Sequence, residues 1–210
     1  MKETSVIFRI LVKLGIKKPI DYNSVEYLRS RGVQIGENVH ILNSQIDFGH
    51  GFLISIGNNV TLTGVRVLAH DASTQIPLGV SKVGRVVIGD NVFVGQGAII
   101  LPNTHIGNHV VVGAGAVVSK DIPDNSIAVG NPIQIVGTYD DFVARHKKQM
   151  EERPVYHTLW SEKTWEEKKR YYREQRLMEE SIWKTSQSLV TTATGGRAKT
   201  KVVFCRNVIT

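Results

Sequence analysis

The chain repeats itself every six residues across its middle. From Ile88 it reads IGDNVF, VGQGAI, ILPNTH, IGNHVV, VGAGAV and VSKDIP, so each block opens on a branched aliphatic residue: Ile88, Val94, Ile100, Ile106, Val112 and Val118. The fifth position, Val92, Ala98, Thr104, Val110, Ala116 and Ile122, is mostly small or β-branched. A period of six belongs neither to a helix, with its repeat of about 3.6, nor to the plain alternation of a long strand. It suits a chain that makes short strands, turns at each Gly or Asn, and sends one aliphatic residue per face into a central stack. Three such faces close one coil. Gly89, Asn91, Gly95, Gly107, Asn108 and Gly113 stand beside the stacked positions, where corners often need a positive φ. The expected fold class is an all-β solenoid.

The same pattern occurs upstream as IGENVH from Ile35 and IGNNVT from Ile56. Neither Ile35 to Ile56 nor Ile56 to Ile88 is a multiple of six, so residues are inserted in each interval. Insertions in a solenoid emerge as loops on one face and tend to carry the specific function. The second interval contains VLAHDAST, which puts His70 where the repeat gives way to a loop over 71–87. A polar residue there has an ordinary use, bonding the loop backbone, beside any chemical one. The expected organisation is a helical segment over 1–30, the coil over 31–137, a helical extension over 138–183 and a tail over 184–210.

Charge and composition narrow the function classes. The net charge is +7, but Lys184, Arg197, Lys199, Lys201 and Arg206 supply +5 of it with no acidic residue after Glu180, so the rest of the chain carries +2. The basicity is mostly a Ser-, Thr- and Gly-rich tail, which argues against a nucleic-acid-binding domain. A lone cysteine, Cys205, forms no internal disulfide, and a cytoplasmic location is expected. The patch Val6 to Val12 is broken by Arg9, is followed by Lys13 and is too short to span a bilayer, and reads as an amphipathic packing helix, with a membrane-surface helix as the alternative. In the extension, Thr138-x-x-Asp141 and Thr164-x-x-Glu167 read as helix starts separated by Pro154. Between Trp165 and Trp183, Tyr171, Met178 and Ile182 share one helical face, as expected of a helix that covers the last coil or packs on a neighbouring subunit.

From about Ile35 to Val136 the hexads resemble the left-handed parallel β-helix of the hexapeptide-repeat acyltransferases. The ending KDIP at Lys120 to Pro123, followed by GNP at Gly130 to Pro132, is similar to the sugar O-acetyltransferase branch. The resemblance implies a homotrimer that moves an acetyl group from acetyl-CoA to a hydroxyl of a small-molecule or saccharide acceptor, such as a polysaccharide precursor. His70 matches the family's catalytic histidine, and a neutral imidazole is suited to take a hydroxyl proton near pH 7. Asp71 is expected to orient His70 or the acceptor, or simply to sit in solvent, since neighbours on a strand point to opposite sides. Asn43 and Asp47, in the first insertion, match the region that meets acceptor hydroxyls, against ordinary turn roles for both.

For the donor, the resemblance implies acetyl-CoA lying along the coil between subunits, with Gly95, Gly97, Ala114 and Gly115 small enough for it to approach the backbone. Gln96, Ala114, Ser119 and Lys120 match donor contacts, Lys120 as a point charge for a phosphate, and Asn131 with Pro132 match the loop that closes the site. Two positions depart from the family. Gln134 stands where relatives often carry Arg or Lys, leaving Arg145, Lys147 and Lys148 as nearby charges, and Phe93 stands where many carry Trp. Two other readings stay open: a trimeric non-catalytic scaffold, and a metal enzyme of the γ-carbonic-anhydrase type using His70, His105 and His109.

Overall fold

The computed structural model describes residues 6–16, 21–152, 162–174 and 176–177. These fall into two compact units, one ending at His146 and the other beginning at Lys147. Pro154, Met178, Ile182, Trp183 and the basic tail with Cys205 lie outside the described residues.

Helices α1 (Val6–Lys13) and α2 (Val25–Ser30) precede the coil. The first turn of the coil is β1 (Gln34–Ile35), β2 (His40–Leu42) and β3 (Gln45–Ile46), and the second is β4 (Ile54–Ile56), β5 (Thr61–Thr63) and β6 (Arg66–Val67). An antiparallel pair, β7 (His70–Asp71) and β8 (Lys82–Val83), then encloses the one-turn helix α3 (Gln75–Leu78). The coil resumes with β9 (Val86–Ile88), β10 (Val92–Val94) and β11 (Ile99–Ile100), and continues through β12 (Thr104–Ile106), β13 (Val110–Val112) and β14 (Val117–Val118). It ends in β15 (Ser126–Val129) and the antiparallel β16 (Gln134–Thr138), after which α4 runs over Tyr139–Glu152.

Each turn gives one strand to each of three sheets, ordered β1-β4-β9-β12, β2-β5-β10-β13-β15-β16 and β3-β6-β11-β14. The hexad openers are the residues that stack. Ile35, Ile56, Ile88 and Ile106 are partners in register, extended by a bridge to Ile122. Ile41, Leu62, Val94, Val112 and Ala128 form the second stack, and Ile46, Val67, Ile100 and Val118 the third. The fifth positions fill the space between them, Val92, Ala98, Thr104, Val110 and Ala116 being at most 3% exposed, while Ile122 takes the stacked place under Ile106. The core is therefore the axis of the coil.

Close approach at one corner accounts for its glycines. A Cβ on Gly57 would lie 2.7 Å from the carbonyl oxygen of Gly89, and one on Gly89 would lie 2.8 Å from that of Gly107. Beside this column runs an amide ladder at left-handed φ: Asn38 Nδ2 donates to Asn59 Oδ1 (3.0 Å), Asn59 to Asn91 (3.1 Å), and Asn91 to His109 Nε2 (3.3 Å). Asparagine tolerates this region and its side chain pairs with its own kind one coil away.

The first coil is sealed by α2. Leu28 is fully buried, Ser24 Oγ accepts the Tyr27 N–H as an N-cap, and Arg29 Nη2 donates to the carbonyls of Ile35 and Gly36. On α1, Val6 is 71% and Ile10 50% exposed, while Leu11 and Val12 are half-buried. Both helix starts read in the extension are formed. Thr138 Oγ1 accepts the Asp141 N–H, and in the second unit Thr164 Oγ1 accepts the Glu167 N–H while Glu167 accepts from the Thr164 backbone. No helix among the described residues is long and apolar enough to cross a membrane.

The glycine column makes a direct prediction. Gly89→Ala drives a methyl group into backbone that cannot move independently and should cost about 1–3 kcal/mol. Gly137→Ala, with nothing within 4 Å of its Cβ position, should change stability by less than about 0.5 kcal/mol. Paired urea denaturation curves of the two variants read this difference; equal stabilities would mean the coil spacing is more compliant than the column implies.

Candidate active site

Both insertions leave the coil at the same corner, the one between the third sheet and the first. The first follows β3 and forms the short 3₁₀ segment Phe48–Leu53; the second follows β6 and forms the β7–β8 loop. Because β3 and β6 are partners one coil apart, with the Asp47 N–H bonded to the Val67 carbonyl at 3.0 Å, whatever leaves after β3 lies beside whatever leaves after β6. Asp47, His50 and His70 meet there.

Asp47 opens the 3₁₀ segment yet makes no side-chain capping bond. Its carboxylate turns instead to His70, whose Nδ1 is hydrogen-bonded to Oδ2 across a separation of 23 residues. His50 Nδ1 approaches the same carboxylate at 3.3 Å, and the Ala69 N–H donates to it at 3.3 Å. The two imidazoles are neighbours, their planes tilted by 31° and their centroids 4.7 Å apart. Asp47 is 9% exposed at its side chain and His70 41%, so the carboxylate is shielded and the ring that it holds reaches solvent. Burial alone would push the Asp47 carboxyl up, but the hydrogen bonds from His70 and His50, the attraction of His70 and the Ala69 N–H outweigh it and hold the pKa below 3.8. An ionised carboxylate facing Nδ1 fixes the tautomer with hydrogen on Nδ1 and leaves the Nε2 lone pair free.

Asp71 takes no part in this cluster. As expected for adjacent strand residues it points the other way, and its carboxylate pairs with Lys82 at 2.6 Å, its cross-strand partner. The bond to Lys82, then that from the Ser73 N–H, lowers its pKa to about 2. The pair pins the loop. The loop itself is shorter than the expected 71–87, because Val86 is already in the first sheet, and it carries Ile76 at 97% and Leu78 at 68% exposure. Asn43, at φ 50°, occupies a left-handed turn position between β2 and β3.

The residues matched to the donor are spread over two corners. Gln96, Ala114, Gly130 and Asn131 line the corner between the second and third sheets, where the Gly115 N–H bonds the Gln96 carbonyl and the Val117 N–H bonds that of Gly130. A Cβ on Gly97 or Gly115 would meet nothing within 4 Å, so this corner is open. Pro132 follows a cis peptide bond, and Gln134 begins β16, exposed. Ser119 and Lys120 come after β14, on the same edge as His70. Phe93 faces outward from the second sheet into a groove of about 410 Å³ shared with Asn91, Tyr139 and Phe142. Arg145, Lys147 and Lys148 are exposed on α4. A second groove, of about 480 Å³, is lined by Tyr22, Asn23, Gln45, Ile46 and Phe48, with the rings of Tyr22 and Phe48 stacked at 6.0 Å.

The three-histidine set is not assembled within the chain. His105 is exposed on the first sheet and His109 ends the amide ladder. Among the described residues the group able to converge on an ion is Asp47, His50 and His70, with donor atoms within 4.8 Å of one another. His50 escapes a reading based on the repeat. Its one signal is the i,i+3 spacing from Asp47 in DFGH.

The family model for bacterial transferase hexapeptide, with six repeats, matches residues 85–120. The chain is 42% identical over 126 residues to Protein CapG of Staphylococcus aureus, a match covering 57% of this chain and 73% of that one. It is 32% identical to the galactoside O-acetyltransferase of Lactococcus lactis subsp. lactis (strain IL1403), covering 56% of this chain and 68% of the relative. It spans about half the length of other curated relatives. A solved maltose O-acetyltransferase from Clostridium difficile 630 is 30% identical with a TM-score of 0.41, covering 62% of this chain and 83% of that one.

The Asp71–Lys82 pair is checked by titration. A carboxylate with a lowered pKa stabilises the loop fully above its ordinary value of 3.8 and loses that contribution as pH falls from there through about 2. Carboxyl-carbon NMR should give Asp71 a midpoint near 2 in the native chain and one closer to 3.8 in Lys82→Met. Equal midpoints would assign the shift to the Ser73 N–H.

Proposed function

We propose that the protein, which belongs to the hexapeptide-repeat bacterial transferase family, moves an acetyl group from acetyl-CoA to a hydroxyl of a sugar or polysaccharide precursor. The observation that carries this reading is the His70 imidazole held by the shielded Asp47 carboxylate at the break in the coil. The name of the galactoside O-acetyltransferase supports the acceptor class. On this reading the coil is the left-handed form and the working unit is a homotrimer.

The residues present fit the donor. The open corner at Gly97 and Gly115 accepts an extended arm against the backbone, with the exposed Gln96 amide beside it, and Lys120 offers a charge to a phosphate. Acetyl-CoA supplies the acetyl group already activated as a thioester. The groove lined by Tyr22 and Phe48, residues that precede and follow Ile46 and Asp47 in the first coil's entry and exit, suits a sugar, whose apolar face packs on those rings while Asn23 and Gln45 meet its hydroxyls.

His70 Nε2 then takes the proton of the acceptor hydroxyl as its oxygen attacks the acyl carbon. Asp47 keeps the ring in the productive tautomer and stabilises the imidazolium once it forms. The imidazolium returns the proton to the departing thiolate sulfur, so that the products are the acetyl ester and the free thiol, and His70 is neutral again. Donor and base corners of one chain are separated by the third sheet, so the site is proposed to be completed between copies: the open corner of one beside the His70 edge of the next.

His70→Ala should lower turnover by roughly 10²- to 10⁴-fold, and Asp47→Asn, which permits the wrong tautomer, by a similar factor. Both variants should keep saturable acetyl-CoA binding by calorimetry at moderate salt and the native melting profile. A folded His70→Ala variant with undiminished turnover would remove His70 from the mechanism. Absence of acetyl-CoA binding by the native chain would remove the reaction.

A further inference from the structure

The corner that holds the base also presents a set of ligands. Two imidazoles and one carboxylate converge there, Asp47, His50 and His70, with donor atoms within 4.8 Å of one another. Both rings turn Nδ1 toward the carboxylate. His70 and His50 are 41% and 34% exposed at their side chains, which leaves a path for a hydrated ion. The ligand atoms sit on unlike supports: Asp47 and His50 on the 3₁₀ segment, His70 on β7 one coil away, joined through the β3–β6 register.

We propose that Asp47, His50 and His70 bind one borderline-soft divalent cation of the zinc class, and that the bound ion switches the site off. Imidazole nitrogen selects zinc-like ions over magnesium or calcium, and three protein ligands leave a fourth, water-filled position in a tetrahedral shell. The switch follows from the tautomer. While Asp47 faces Nδ1, the hydrogen is on Nδ1 and Nε2 is a base. An ion on Nδ1 displaces that hydrogen, the neutral ring carries it on Nε2 instead, and Nε2 has no lone pair to accept the acceptor's proton. No proton is gained or lost by the neutral ring; it changes nitrogen by exchange with water. The inhibitory half rests on the reading of His70 as base, whereas the binding half does not.

The test uses the full chain stripped of metal. Zinc is titrated calorimetrically into the native protein, His50→Ala and His50→Gln, each first shown to melt as the native chain does, and cobalt is added in parallel as a visible-absorbing probe of four-coordinate geometry. One zinc per chain is expected. Each His50 variant should bind more weakly by at least the roughly 10- to 100-fold that even outer-shell substitutions cost. Acetyl transfer by the native chain should fall along the same zinc curve and recover with a chelator. No zinc uptake up to millimolar concentration, or equal uptake by native and variant chains, overturns the site. Zinc uptake that needs His50 without loss of transfer overturns the switch. Zinc uptake that needs His50 in a chain with no metal-free transfer supports the site and counts against the proposed reaction.

Discussion

Everything in the first unit depends on one register condition: a turn of the coil must return each aliphatic opener beneath its predecessor. Ile88 pairs with Ile106 and Val94 with Val112, and the openers of all three sheets are buried or nearly so. The backbone bonds of each short strand run to the next coil rather than to a distant element, so register error in one stack is error in all three. Any additional residue must therefore leave the coil and return at the same corner, since otherwise every opener after it would point outward.

That condition creates the cleft. Two insertions in consecutive turns leave at the corner between the third and first sheets, and the coil spacing brings their first residues to hydrogen-bonding distance. Asp47 and His70 are distant in sequence but adjacent in the lattice of the solenoid. Burying a carboxylate is costly unless its oxygens are met by donors, and here His70, His50 and Ala69 meet them. The rigid coil thus fixes both the position and the tautomer of the imidazole, and leaves the ring's far edge to solvent.

What the chain discloses to a reader depends on how local the cause is. The coil is legible because its period is written six times, and the two helix starts in the extension because a Thr and an acidic residue three positions apart meet within one turn. His70 stands out because it breaks a pattern. Its partner does not: Asp71 is the neighbour in sequence, but the alternation of a strand turns it to Lys82, and Asp47 becomes the partner through inter-coil register that no local motif records. His50 is likewise set by what surrounds it in space.

The placement of the matched donor residues carries the last step. Gln96, Ala114 and Asn131 follow the corner between the second and third sheets, whereas His70 shares the opposite edge of the third sheet with Ser119 and Lys120. The third sheet is built of two-residue strands whose axial side chains are locked in the stack, so it cannot fold back to bring those edges together. A single chain thus holds the Gln96 corner and the His70 edge apart across the third sheet.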